Sequence, residues 1–107
     1  MVGGSEKVVE QTLCKKVKML GGLCLKWPAS ANAGVPDRIV IIDGQVIFVE
    51  LKREGGKLSP IQQLVHKQLR ERGADVRVID SVEKAKAFTG GKVIPRWDKG
   101  KNNWEGG

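Results

Sequence analysis

Residues 36–52 read PDRIVIIDGQVIFVELK. Arg38–Ile42 and Val46–Val49 are rich in β-branched and aromatic residues, which suit strands. Between them, Asp43-Gly44 is a favoured pair for a two-residue hairpin turn of type I′, in which both central residues need positive φ. That turn pairs Ile42 with Gln45 and Ile41 with Val46, and counting outward sets Asp37 opposite Glu50. Directly opposed residues have Cβ atoms roughly 4.5–5.5 Å apart. Strand alternation then puts Lys52 on the face of Glu50 and Leu51 on the other.

Two carboxylates that close repel each other, and unpaired charge beside so apolar a hairpin is costly. A shared proton, a neighbouring cation or a bound divalent metal relieves the repulsion. Mg²⁺ prefers oxygen ligands and is commonly held by one or two carboxylates, with water and phosphate oxygens completing its shell. Lys52 then stands where it can orient a water or stabilise charge developing on phosphate. The same residues also fit a solvent-exposed hairpin end with a Glu50–Lys52 pair. Spacing alone does not choose between the two.

At 107 residues the chain reads as one small domain with a single core. It carries 19 Lys and Arg against 12 Asp and Glu, a formal charge of +7, with a pI near 9.7. Such an excess favours an anionic partner, nucleic acid or a membrane surface. The sequence shows no long apolar span, signal peptide or lipidation motif, so nucleic acid is the expected partner and no membrane is. Cys14 and Cys24 lie in no CxxC or Cys/His cluster and read as reduced, structural thiols of an intracellular protein. A single histidine, His66, argues against a His-rich zinc site. The chain has no tyrosine, which excludes a covalent phosphotyrosyl mechanism. If it cuts nucleic acid, metal-activated water is the natural nucleophile.

Along the chain, Ser5 is a plausible N-cap for a helix to about Leu20, stopped by Gly21-Gly22, with Val9, Leu13, Val17 and Leu20 as its apolar stripe. Leu23–Trp27 reads as a short strand, and Pro28–Pro36 as a small-residue loop. Both faces of the central hairpin are apolar: Ile39, Ile41, Val46 and Phe48 on one, Val40, Ile42, Ile47 and Val49 on the other. A sheet buried on both sides implies helices above and below it. Arg53–Lys57 is a flexible basic loop. Ser59-Pro60 opens a helix to Arg72, stopped by Gly73, with Ile61, Leu64, Val65, Gln68 and Leu69 as its packing side. Val76–Ile79 is a further strand, and Ser81 caps a helix to about Phe88. The order is α-β-β-β-α-β-α in one domain over residues 1–88. Residues 89–107, rich in Gly, Lys and Asn, read as a mobile basic tail.

Gly34-Val35-Pro36-Asp37, Glu50-Leu51-Lys52 and Leu58-Ser59-Pro60-Ile61-Gln62, behind a helix carrying Glu6 and Glu10, form a specific pattern. It resembles the PD-(D/E)xK nuclease superfamily and, within it, the VRR-NUC (virus-type replication-repair nuclease) family in its stand-alone, phage-type form. The resemblance runs from about Glu6 to Ile79. It implies an α/β, restriction-endonuclease-like fold with a central mixed β-sheet flanked by helices. It also implies that Asp37, Glu50 and the Leu51 backbone carbonyl bind Mg²⁺ or Mn²⁺, that Lys52 is the catalytic lysine, and that Gln62 lines the site. Glu10 is the expected helix glutamate, eleven residues before Gly21 as in archaeal-type junction resolvases, with Glu6 as the alternate on the same helical face.

The activity so implied is hydrolysis of DNA phosphodiesters by an endonuclease. Small size and analogy with two-fold Holliday-junction resolvases point to a homodimer acting on four-way or otherwise branched DNA in the cytoplasm of a bacterial or phage-infected host cell. The alternatives are a nuclease without junction preference (flap, nicking or restriction-type) and a non-catalytic basic DNA-binding module. Arg38, Arg53, Lys57, Lys92, Arg96, Lys99 and Lys101 are the candidates for phosphate contacts, which position DNA without reading its sequence. Trp97 and Trp104 are candidates for stacking on unpaired bases, whereas Trp27 suits core or dimer packing. His66, one turn after Gln62, reads as partly buried on its helix.

Overall fold

The structure is a computed structural model that describes residues 5–28, 32–91, 96–100 and 102–105, with 96–98 and 103–105 described by backbone alone. The elements run α1 (Glu6–Met19), β1 (Leu23–Lys26), β2 (Arg38–Ile42), β3 (Gln45–Leu51), α2 (Pro60–Glu71), β4 (Asp75–Ile79), α3 (Val82–Lys86), β5 (Arg96–Asp98) and β6 (Asn103–Glu105). Asp43 and Gly44 have φ of 50° and 74°, the double positive φ of a type I′ turn. The turn sets the register of β2 on β3 from Ile42–Gln45 to Arg38–Val49, so the next rung outward is Asp37–Glu50. β1 pairs antiparallel with β2, and β4 parallel with β3, giving a mixed sheet of order β1-β2-β3-β4.

One face of this sheet carries the core. Ser5 caps α1 by accepting from the Val8 amide, and Val9, Leu13 and Val17 on its inner side are fully buried. They meet Val40 and Ile42 of β2, Ile47, Val49 and Leu51 of β3, and Ile79 of β4, with Ala85 and Phe88 closing the end beside α3. Each such aliphatic side chain contributes about 1.5–3 kcal/mol through burial.

The opposite face is covered on one half only. α2 connects β3 to β4, and a helix that joins adjacent parallel strands settles over those two strands. It therefore packs on β4 and leaves the β1–β2 half bare. Leu23 is 57% exposed, and Leu25 and Ile41 are exposed with it, as is Val46 of β3 beside the turn. The expectation that both faces of the hairpin are buried fails here, because no element lies over that half among the described residues. Trp27 rests on Phe48, ring centroids 5.4 Å apart, at its boundary.

α2 is also turned from the expected packing side. Ile61, Leu64 and Gln68 are exposed, while Gln62, Val65 and Leu69 are half-buried and His66 is fully buried. The inner stripe follows the helical period, but two of its members are polar, so the apolar residues alone pointed one step away. The C-terminal segment holds an element absent from the expected order. Residues 89–107 hold the hairpin β5–β6, with Trp97 opposite Trp104, around a turn in which Asn102 has φ of 53°. Lys92 and Lys101, and the side chains of Arg96, Trp97 and Trp104, lie outside the described residues.

Gly34 explains its place two residues before Pro36-Asp37. Its φ is +82°, and a Cβ there would lie 2.7 Å from the Ile61 carbonyl oxygen and 2.9 Å from Val65 Cγ2. The loop entering β2 thus lies directly on α2. Gly34→Ala is expected to cost ~1–3 kcal/mol, visible as a drop of roughly 4–8 °C in Tm per kcal/mol. An unchanged thermal melt would show that the loop does not need this approach.

Candidate active site

Asp37 and Glu50 close the β2–β3 ladder at the end away from the turn. Asp37 Oδ2 accepts the Leu51 amide at 2.8 Å, which ties the residue before β2 to the end of β3. Glu50 is 1% exposed, an extreme position for a carboxylate. Its neighbours come from α2: Gln62 Nε2 donates to Oε2 at 3.3 Å, and His66 Nε2 lies 3.1 Å from Oε1. Gln62 is itself fixed by the helix start. Its Oε1 accepts the Ser59 amide while Ser59 Oγ accepts the Gln62 amide, a reciprocal capping box. The Ser59-Pro60-Ile61-Gln62 string is thus a cap whose last side chain reaches the acidic pair.

Burial pushes Asp37 up to about 7, helped by its hydrogen bond with Glu50 and partly offset by the Leu51 amide. Burial also raises Glu50, against the opposing effects of Asp37 and Lys52. Both shifts favour a proton shared by the pair below about pH 7. Lys52 follows β3 with its amide donating to the Ile79 carbonyl at 3.0 Å. Its ammonium favours the ionised form of both carboxyl groups. Burial, reinforced by Arg70, drops His66 to about 4, so the imidazole is neutral beside Glu50.

The two helix glutamates separate. Glu10 Oε2 is 3.0 Å from Arg38 Nε, and Arg38 Nη1 donates to the Cys24 carbonyl at 3.1 Å. Arg38, read from sequence as a DNA contact, is thereby mostly withdrawn from solvent into an internal ion pair. Glu6 lies one turn earlier, and its charge raises the pKa of Glu50. Arg53, Lys57 and Lys99 are exposed. Cys14 and Cys24 are free thiols with sulfurs 2.8 Å apart, and burial pushes Cys24 up to about 12, so it is not a nucleophile.

Among the described residues, no group of three or more His, Cys, Asp or Glu side chains converges to hold a metal. The donor set is instead two oxygen-bearing carboxylates beside a lysine, which fits a hard cation that keeps water and phosphate in its shell. His66, which the sequence sets one turn after Gln62 and reads as partly buried, is instead fully buried at the centre of the site. The signal for that placement was its position four residues after Gln62, one turn along the same face.

A mixed sheet flanked by helices, with an acidic pair and a lysine at the end of its central hairpin, defines a restriction-endonuclease-like nuclease fold. The chain belongs to the VRR-NUC domain family, whose model matches residues 6–83. It is 39% identical over 77 residues, 71% of this chain and 83% of the relative, to "Putative nuclease p44" of Acyrthosiphon pisum secondary endosymbiont phage 1. A solved VRR-NUC domain superposes with a TM-score of 0.71 at 34% identity, covering 77% of this chain and 90% of that one.

The shared proton has a measurable consequence. The folded state holds it up to about pH 7, whereas an unfolded aspartate releases it near 3.8. Folded protein therefore binds more protons across that window, and metal-free stability falls as pH rises through it. Asp37→Asn is expected to flatten this slope and to raise the Tm relative to wild type at pH 8 in EDTA. Parallel pH profiles for the two proteins would refute the shared proton.

Proposed function

We propose that this nuclease is a Mg²⁺- or Mn²⁺-dependent endodeoxyribonuclease that hydrolyses phosphodiesters in four-way or otherwise branched DNA as a homodimer. The observation that carries the catalytic part is the buried Asp37–Glu50 pair with Lys52 beside it. Asp37, Glu50 and the Leu51 carbonyl would hold the cation. Once bound, it would lower the pKa of its water and offset phosphate charge. Lys52 orients the attacking water and meets charge developing on the phosphate oxygens. Gln62 holds one Glu50 oxygen. Glu6, which acts on Glu50, suits the role of helix glutamate better than Glu10, which is engaged with Arg38.

The net charge of +7 supports an anionic polymer as substrate. Arg53 and Lys57, on the loop after β3, and Lys99 are free to meet phosphates. Such contacts make binding fall steeply with salt. Support for a dimer comes from the bare half of the sheet. Leu23, Ile41 and Val46 form one uncharged rung across three strands, and Leu25, Ile39 and Phe48 the next. Asp37 and Glu50 stand on the same face one rung further, so a second copy seated there would bring two sites together. A two-fold pair of sites suits symmetric incision of two strands. Such an enzyme works in the cytoplasm of a bacterial or phage-infected cell.

Labelled four-way junction and linear duplex, incubated with Mg²⁺ or Mn²⁺, test the reading. Wild type should cut the junction preferentially, and Asp37→Ala and Lys52→Ala should lower cleavage at least 100-fold while still binding DNA. Binding without cutting by wild type would leave only a basic DNA-binding module; equal cutting of both substrates would remove the junction preference. In light scattering, wild type should be dimeric and Leu25→Glu monomeric, and a monomeric wild type would remove the homodimer.

A further inference from the structure

Every other feature of the site has an assigned role, but His66 remains unexplained by packing. It is 1% exposed, it is a histidine on the inner face of α2, and its Nδ1 has no hydrogen-bond partner among the described residues. Leucine would fill such a space without stranding a polar nitrogen, which is costly to bury unpaired. What the imidazole alone provides is a ring nitrogen 3.1 Å from Glu50 Oε1. We propose that His66 is a positioning residue: its imidazole donates Nε2–H to Glu50 and, with Gln62, fixes the carboxylate in the orientation that receives the divalent cation. The inference rests on the metal-dependent reading of the site.

The geometry supports this in two ways. A neutral imidazole has one N–H and one bare nitrogen. The proton belongs on Nε2, because a carboxylate oxygen cannot donate once ionised, and Nδ1 is then left as an unpartnered acceptor. Gln62 and His66 are one turn apart on one helix, and each takes a different oxygen of the same carboxylate. Both oxygens of Glu50 are thus held from α2. Partners that orient a ligand in this manner are typically worth 10–100-fold in metal affinity.

The chain has a single histidine, so the full-length protein offers an unambiguous probe. Three measurements on wild type, His66→Gln and His66→Leu decide the matter: Mn²⁺ titration by calorimetry without DNA, junction cleavage kinetics, and thermal melting in EDTA. Nitrogen-15 spectra of the wild-type imidazole, with and without Mg²⁺, add a fourth. The expected result is an Nε2–H tautomer whose resonances shift on adding Mg²⁺. His66→Leu should bind Mn²⁺ 10–100-fold more weakly and lose kcat with the KM for DNA unchanged. His66→Gln, which can place an N–H near the same point, should recover most of both, with the two variants melting within a few degrees of each other.

The proposal is overturned if His66→Leu binds Mn²⁺ as wild type does, if His66→Gln is as impaired as His66→Leu, or if the imidazole carries its proton on Nδ1. Should His66→Leu not fold, the spectra and His66→Gln still decide. Absence of Mn²⁺ binding by wild type itself overturns both this inference and the metal-dependent reading, whereas binding by wild type that His66→Leu retains overturns the inference alone.

Discussion

Two carboxyl groups forced onto one rung of a sheet set the terms for the rest of this molecule. Asp37 and Glu50 are neighbours because a type I′ turn fixes the register five rungs away, and Glu50 is buried because α2 lies over it. Neither condition is comfortable for an acid. The surrounding structure can be read as the set of responses: the Leu51 amide on Asp37, the Gln62 amide and His66 imidazole on Glu50, Lys52 alongside, and a proton held between the two. An acidic pair assembled at this cost, with its cationic help supplied from one side, is poised to exchange a proton for a stronger positive charge.

The hairpin was legible in the sequence because its determinants are local. Asp43-Gly44 fixes the turn, the turn fixes the register, and the register alone brings Asp37 to Glu50. The helix starts were legible for the same reason: Ser5, Ser59 and Ser81 each accept from an amide of the first turn. The side of α2 that faces inward was not. Counting apolar residues chose Ile61 and Leu64, but the helix buries His66 and half-buries Gln62, since what lies beneath them is a carboxylate rather than a methyl group. The partner of Glu10 was equally hidden, because Arg38 is 28 residues away and reaches it only across the finished sheet. The hairpin β5–β6 escaped because its strands have three residues each and lie among glycines and lysines.

The uneven dressing of the sheet follows from chain order. α1 and α3 share one face and make the core; among the described residues α2 alone serves the other, and its position is set by the strands it joins. The bare β1–β2 half and the enclosed β3–β4 half thus share a face, with the acidic rung at their common end. Enclosure and openness are both needed there. The enclosed side immobilises Glu50, and the open side leaves Asp37 half-exposed, where a large polyanion can approach.

Gln62 sits in two assemblies at once. Its carbonyl oxygen completes the box that starts α2, and its amide nitrogen reaches Glu50. Opening the first turn of α2 therefore also unseats a site donor, and whatever tightens Glu50 also holds that turn closed. Helix fraying, ordinarily a private event of a few backbone amides, is here coupled to the acidic pair. Hydrogen-exchange protection of the amides at the start of α2 is consequently a report on the state of the active site.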